Sequence, residues 1–288
     1  MKNKKLKFSL LMALLIIVLI LGIIIFYSRN LTLKVAFLDV GQGDAILLSQ
    51  GNVQVLVDGG RDGKILLERL GEQIPFWDRN IEAIIATHPD SDHIGGLPDA
   101  LKIYRAKTII ETRAESQSEA FVAWRKAVER EKAEYLEGLQ GMKFLFPGGA
   151  KAEILYPFAS VPVDAKDKNK DSIVLKVSFG KNDFLLTGDL TQEGENILVD
   201  SGENLEAEIL KAGHHGSRSS SGEKFLDAVR PREAVISAGK NNSYGHPHRE
   251  VLERLRARGI KIFRTDEFGT IVYKCPTPEE NCALLFNK

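Results

Sequence analysis

Apolar and polar positions divide this chain into short blocks of contrasting period. Residues 31–39, 44–49 and 53–57 alternate or run apolar between glycine-bearing turns, which predicts three strands of a meander. Residues 63–71 read as a helix, and residues 81–87 (Ile-Glu-Ala-Ile-Ile-Ala-Thr) as a largely buried strand. Residues 94–98 look like a turn into a further helix, and 107–111 like a short strand. Residues 116–139 have helical composition, with Phe121, Trp124, Val128 and Tyr135 spaced as packing residues. A second strand-rich half follows at 142–146, 153–156, 173–179 and 183–187. Helix and strand then alternate over 191–199, 207–211, 222–229, 234–237 and 247–258. Residues 262–264 and 270–273 are expected to close as a hairpin around Glu267-Phe268-Gly269. Two strand-rich halves, each followed by helices, predict an α/β protein with two sheets face to face and helices outside. The charged, turn-rich segment 160–171 reads as an exposed loop between the halves rather than a linker.

Charge changes the picture at the N-terminus. Residues 8–27 carry no charge, about the length a bilayer span needs, and Lys2, Lys4, Lys5 and Lys7 precede them. This predicts residues 1–30 as a cytoplasmic basic stub and transmembrane signal anchor. Residues 31–288 are then an extracytoplasmic domain on a single-pass cell-membrane protein. A cleaved signal peptide is the rival, but Ile24-Ile25-Phe26-Tyr27-Ser28-Arg29-Asn30 offers no small-residue cleavage pattern. Residues 1–30 carry five positive charges and no acid; the whole chain is neutral, so the remainder carries −5. A mildly acidic body argues against tight, salt-sensitive binding to long nucleic acid, though not against a local basic groove. The two cysteines, Cys275 and Cys282, flank a turn-rich stretch and are expected to close a small disulfide loop if the domain lies outside the cytoplasm.

All six histidines fall in three clusters. The first reads His88-Pro89-Asp90-Ser91-Asp92-His93, at the end of the predicted 81–87 strand. Two imidazoles and two carboxylates this close coexist cheaply only around a cation, and zinc, manganese or iron accept that donor mix. The competing reading is a polar turn whose side chains satisfy one another. Leu185-Leu186-Thr187-Gly188-Asp189 places an acid at another strand end, able to bridge two ions or simply to cap the next helix. His214-His215 stand where a third strand stops; from an extended backbone, one would be a ligand and the other would face substrate or a residue that supports the ligands. His246-Pro247-His248 precede a helix, with proline at its first position; His246 is a candidate for substrate contact and His248 reads as a solvated helix residue. Asp58, in Val57-Asp58-Gly59-Gly60, is expected to orient a ligand histidine.

These residues resemble the metallo-β-lactamase fold. More narrowly, Phe37-Leu-Asp-Val-Gly-Gln-Gly-Asp44-Ala45, His88-Pro-Asp-Ser-Asp-His-Ile-Gly-Gly96, Leu185-Leu-Thr-Gly-Asp189 and His214-His-Gly-Ser217 are similar to the hydrolase domain of ComEC-type competence proteins, over roughly residues 31–275. The resemblance implies a four-layer αββα sandwich with a two-metal site between the sheets' edges. It implies one metal on His88, Asp90 and Asp189, and another on Asp92, His93, Asp189 and His215. The chain departs from the wider superfamily by carrying Asp90 in place of a histidine. It also lacks the middle histidine, Asn169 or Ser172 standing in that region. A harder ion such as manganese suits the first position on that account.

The expected function is a membrane-anchored, metal-dependent hydrolase using two divalent ions, zinc or manganese, on a phosphodiester such as single-stranded DNA. Asp92 and His93 are the leading ligands, Asp90 or Asp189 a proton acceptor, and His214 and His246 substrate contacts. No obligate protein partner is inferred. With one hydrophobic span, the chain is not expected to move DNA itself. The alternatives are an esterase acting on choline phosphate, a lactonase, and a metal-bound binding module without catalysis.

Overall fold

The computed structural model describes residues 2–287, with the side chains of all but residues 2, 3, 6, 23–30 and 287. Helix α1 (Lys2–Leu31) is continuous, and its side chains from Phe8 to Leu21 are exposed. Among the described residues no helix is long and apolar enough to cross a membrane. The expected span runs to residue 27, and its part from residue 23 onward lies outside the described side chains.

The body consists of two stacked sheets. The first contains β1 (Leu33–Phe37), β2 (Ile46–Gln50), β3 (Val53–Val57), β4 (Asn80–Ala86), β5 (Arg105–Glu111) and β6 (Glu134–Glu137). The second contains β7 (Lys143–Leu145), β8 (Lys151–Tyr156), β9 (Val174–Phe179), β10 (Asn182–Leu186), β11 (Ile209–Lys211), β12 (Glu233–Ile236) and β13 (Lys261–Arg264). The chain then returns to the first sheet as β14 (Thr270–Cys275) and β15 (Ala283–Asn287). The spatial orders are β15-β14-β1-β2-β3-β4-β5-β6 and β13-β12-β11-β10-β9-β8-β7. The meander expected over the first three strands is present: β1–β2 and β2–β3 pair antiparallel, while β3–β4–β5–β6 run parallel.

Alternation along each strand sorts side chains into three cores. Val35, Phe37, Leu48, Val55 and Ile85 meet Ile154, Leu175, Val177 and Phe184 between the sheets. Their neighbours Ala36, Leu47, Leu56 and Ile84 point outward onto α2 (Gly63–Gln73), α4 (Leu97–Ile103) and α5 (Glu119–Arg130). The second sheet's outer face packs on α6 (Gln192–Asp200), α7 (Glu223–Val229) and α8 (Arg249–Ala257). The one-turn helices α3 (Ser91–Ile94) and α9 (Thr265–Phe268) complete the set. This is the expected αββα layering.

Four local expectations are corrected. The helix read over 116–139 stops at Arg130, and residues 134–137 form β6 instead, because a free sheet edge beside β5 outweighs helical composition. Tyr135 leaves the expected helical packing set; its hydroxyl donates to Glu111 at 2.8 Å. The 262–264/270–273 hairpin does not form: β13 pairs with β12 in one sheet and β14 with β1 in the other, with α9 bridging them. Helix α8 starts at Arg249, so Pro247 is not its first residue, and His248 is no solvated helix residue: its Nδ1 accepts the Arg218 backbone N–H at 3.0 Å.

Candidate metal centre

The C-terminal ends of β3, β4, β10, β11 and β12 all open at one end of the stacked sheets, joined there by the 38–45 loop. That is where parallel strands leave backbone free to hold ligands. The histidine and aspartate clusters, far apart in sequence, converge there. Asp90 caps α3 by position only, making no side-chain bond to the helix, so its carboxylate is free to face His88. Close approach of the 38–45 loop requires glycine: a Cβ on Gly43, whose φ is +122°, would lie 1.9 Å from the Asp92 carbonyl oxygen.

Tautomers follow from the hydrogen bonds. The Asp58 carboxylate can only accept, so the His93 Nδ1 at 2.8 Å carries a proton and donates it. The Thr87 hydroxyl donates to Asp58 Oδ2 at 2.8 Å, so it accepts from His88 Nδ1 at 3.0 Å. The Ser237 carbonyl accepts from His215 Nδ1 at 3.0 Å. His214 Nδ1 lies 3.1 Å from the Ser219 hydroxyl. Each of the four rings is thus held from behind, and each turns Nε2 toward Asp189. The Nε2–Asp189 oxygen separations are 3.2 Å for His93, 3.3 Å for His215, 3.7 Å for His214 and 4.0 Å for His88.

The donor set fits metal ions. Two donors each about 2.0–2.2 Å from one ion stand about 3.0–3.5 Å apart. The His93–Asp189 and His215–Asp189 spacings fall there, and Asp92 Oδ2 adds a fourth donor 3.6 Å from His215 Nε2. His88 Nε2 is buried with no hydrogen-bond partner, 3.7 Å from Asp90 Oδ2. An orphaned lone pair facing two carboxylates is what a cation satisfies. Both implied sets are therefore brought together: His88, Asp90 and Asp189 on one side, Asp92, His93, Asp189 and His215 on the other.

The electrostatics agree. Burial opposes charging His93, but Asp189 and Asp58 outweigh it and hold its pKa well above the usual value; His215 behaves likewise beside Asp189 and Asp44. Burial disfavours the Asp189 carboxylate, yet His215 and His93 hold its pKa well below the usual range. Burial and then His93 push His88 down to about 3, leaving it a neutral donor. Burial raises Asp90.

The expectation that only one of His214 and His215 could turn inward is corrected. Both residues adopt left-handed backbone, φ 47° and 53°, so both rings reach the same carboxylate. Asp58, at φ 58°, takes up the orienting position expected of it. His246 lies at the mouth, its ring 5.5 Å from that of His214 and stacked on Tyr244. Of the two residues standing in the region of the missing middle histidine, Asn169 places Nδ2 3.5 Å from His214 Nε2, and Ser172 is buried with its hydroxyl unpartnered.

Two participants escaped the sequence reading. Asp44 is buried behind the rings, 3.5 Å from His215 Nδ1 and 3.9 Å from His93 Nδ1. Asp44, His93, Asp189 and His215 each offer an atom within a 4.8 Å group. Asp44, however, faces the protonated Nδ1 sides, opposite the converging Nε2 atoms, so it braces the rings rather than sharing their ion. Lys211 is fully buried, forms an ion pair with Asp44 and donates to the Gly188 carbonyl at 2.9 Å. A lysine inside the apolar run 209–212 was the available signal.

The Metallo-beta-lactamase superfamily model matches residues 38–240. ComE operon protein 3 of Bacillus subtilis is 34% identical over 84% of this chain and 33% of its own length. Competence protein ComA of Neisseria gonorrhoeae is 34% identical over 82% of the chain and 31% of its length. The chain thus spans about a third of these relatives. Among solved structures, the metallo-beta-lactamase fold protein YhfI of Bacillus subtilis aligns with TM-score 0.55 at 12% identity, covering 84% of this chain and 99% of that one. The chain belongs to the metallo-beta-lactamase superfamily; it is a metal-dependent hydrolase related to competence proteins.

Proposed function

We propose that this superfamily member is a membrane-anchored phosphodiesterase with its hydrolase domain outside the cytoplasm, acting on single-stranded DNA with two divalent ions, zinc or manganese. One observation carries the hydrolytic part: four imidazoles, each fixed through Nδ1, aim Nε2 at one carboxylate, Asp189. Ions held there by His88, Asp90, Asp92, His93, Asp189 and His215 would supply Lewis acidity and lower the pKa of water. Asp189 Oδ1 lies nearest His93, and Oδ2 nearest His215, His214 and His88. Asp90, half out of the cluster with its pKa raised by burial, is suited to take up a proton. His246, neutral because burial and the neighbouring His215 push it to about 4, carries a buried, unpartnered Nδ1. Arg61 donates to Tyr244 Oη at 3.2 Å beside it and brings a cation near Asp92, as a phosphodiester requires.

Likeness to two competence proteins supports DNA as substrate. The apolar, exposed α1 and its flanking lysines support the anchor. A Cys275–Cys282 disulfide supports an oxidising location. The test is hydrolysis of end-labelled single-stranded DNA by the reconstituted chain with zinc or manganese, with chelator and Asp92→Asn as controls. Metal-dependent cleavage lost in Asp92→Asn is expected. No cleavage with both ions demonstrably bound would turn the reading to a small ester or lactone.

A further inference from the structure

The two ends of the stacked sheets are chemically opposite. One holds the metal cluster. At the other lie the starts of β1, β3, β4, β5 and β6, where α1 joins the body: the Gln50 side chain, at the end of β2, donates to the Leu31 carbonyl at 2.6 Å. The three most exposed large apolar side chains among the described residues are Phe76 at 79%, Leu145 at 78% and Trp77 at 73%. All three lie at this end. Phe76 and Trp77 precede β4 in a loop tied to β3 by Gln54 and Asp78. Leu145 ends β7 beside the turn whose Gly148 and Ala150 amides donate to Gln50.

Next to the aromatic pair is a depression of about 830 Å³ lined by Arg79, Lys102, Arg105, Arg130 and Lys132, with Glu131 as the acid among them. Lys102 is spent on Asp99, and Asp78 turns inward onto Gln54 and the Asn80 amide. Arg79, Arg105 and Lys132 remain exposed. Exposed rings with an apolar body beside uncompensated cations suit the boundary between headgroups and acyl chains. The attached apolar helix indicates which surface is near.

We infer that this end is a docking face for the anionic surface of the membrane in which α1 lies, Phe76, Trp77 and Leu145 entering the interface and Arg79, Arg105 and Lys132 meeting lipid phosphates. The inference rests on the anchoring proposed above. It fixes orientation: β4, seven residues long, holds the metal cluster about 20 Å above the surface, open to the medium.

The chain has two tryptophans, and Trp124 is fully buried, so membrane contact is read from Trp77 alone. The full chain is reconstituted in phosphatidylcholine vesicles with and without phosphatidylglycerol, the acyl chains brominated to quench tryptophan. Loss of Trp77 emission in the anionic vesicles is expected, absent in Trp77→Phe. That loss should disappear in the Arg79→Glu/Arg105→Glu/Lys132→Glu variant while the variant still floats with the vesicles and binds metal. A chain that floats with Trp77 unquenched, or quenched without regard to phosphatidylglycerol and the three cations, overturns docking and leaves the anchor intact. A chain that does not float overturns both. Quenching of Trp77 by a single-stranded oligonucleotide but not by brominated lipid overturns docking and reassigns the face to nucleic acid.

Discussion

Asp58 accepts the Nδ1 proton of His93 at 2.8 Å while its other oxygen accepts the Thr87 backbone N–H at 2.8 Å. One buried carboxylate therefore fixes the orientation of His93 and, through the Thr87 hydroxyl, that of His88. It touches neither converging Nε2 atom. Asp58→Asn keeps an acceptor but loses the charge, and metal affinity should fall about 10–100-fold. Competition with a chromogenic chelator measures it; unchanged affinity would remove Asp58 from the site.

His93 Nε2 and His215 Nε2 face each other at 3.3 Å, which only a shared cation or proton makes comfortable. Adding zinc or manganese at about 100 times its dissociation constant should stabilise the fold by about 2.7 kcal/mol. For a body of this size that raises Tm by about 5–10 °C. His215→Ala should lose most of the rise, as calorimetry with and without chelator will show.

Lys211 and Asp44 form a buried pair in which each is the other's main compensation. Lys211→Met alone strands the Asp44 carboxylate and should cost about 3–5 kcal/mol. Adding Asp44→Asn should restore most of it. Urea midpoints of the single and double variants decide; equal instability would show that the lysine acts through packing instead.

Glu195 lies under the start of α7, accepting the Ser221 and Gly222 amides, and burial raises its pKa to about 7 despite those bonds. The unfolded carboxyl titrates near 4.5. Between those values the folded state binds more protons, so stability is fully present below pH 4.5 and declines as pH rises through 7. Glu195→Gln should abolish that decline, on the order of 2–3 kcal/mol across the window. The difference in unfolding free energy between wild type and variant, followed from below pH 4.5 to above pH 7, should change with pH only between those two values.

The sequence by itself determined what depends on near neighbours. Short apolar runs such as 53–57 and 81–87 became β3 and β4, because a strand covered on both faces reads as a nearly continuous apolar run wherever it sits in the sheet. The crowding of His88, Asp90, Asp92 and His93 announced a cation because their repulsion is local. Only the tertiary structure decided partnership. Residues 262–264 and 270–273 read as one hairpin, yet each completes an edge set by strands far away in sequence, β12 and β1. Residues 134–137 had helical composition, and the open edge of β5 made them a strand. Asp44 and Lys211 look like stray charges in apolar runs until folding brings them together, where each removes the other's desolvation penalty. His214 and His215 could both turn inward only because the fold holds two consecutive residues in left-handed backbone. Composition cannot reveal that conformation: its local cost is met by contacts with Asp189, Ser219 and Ser237.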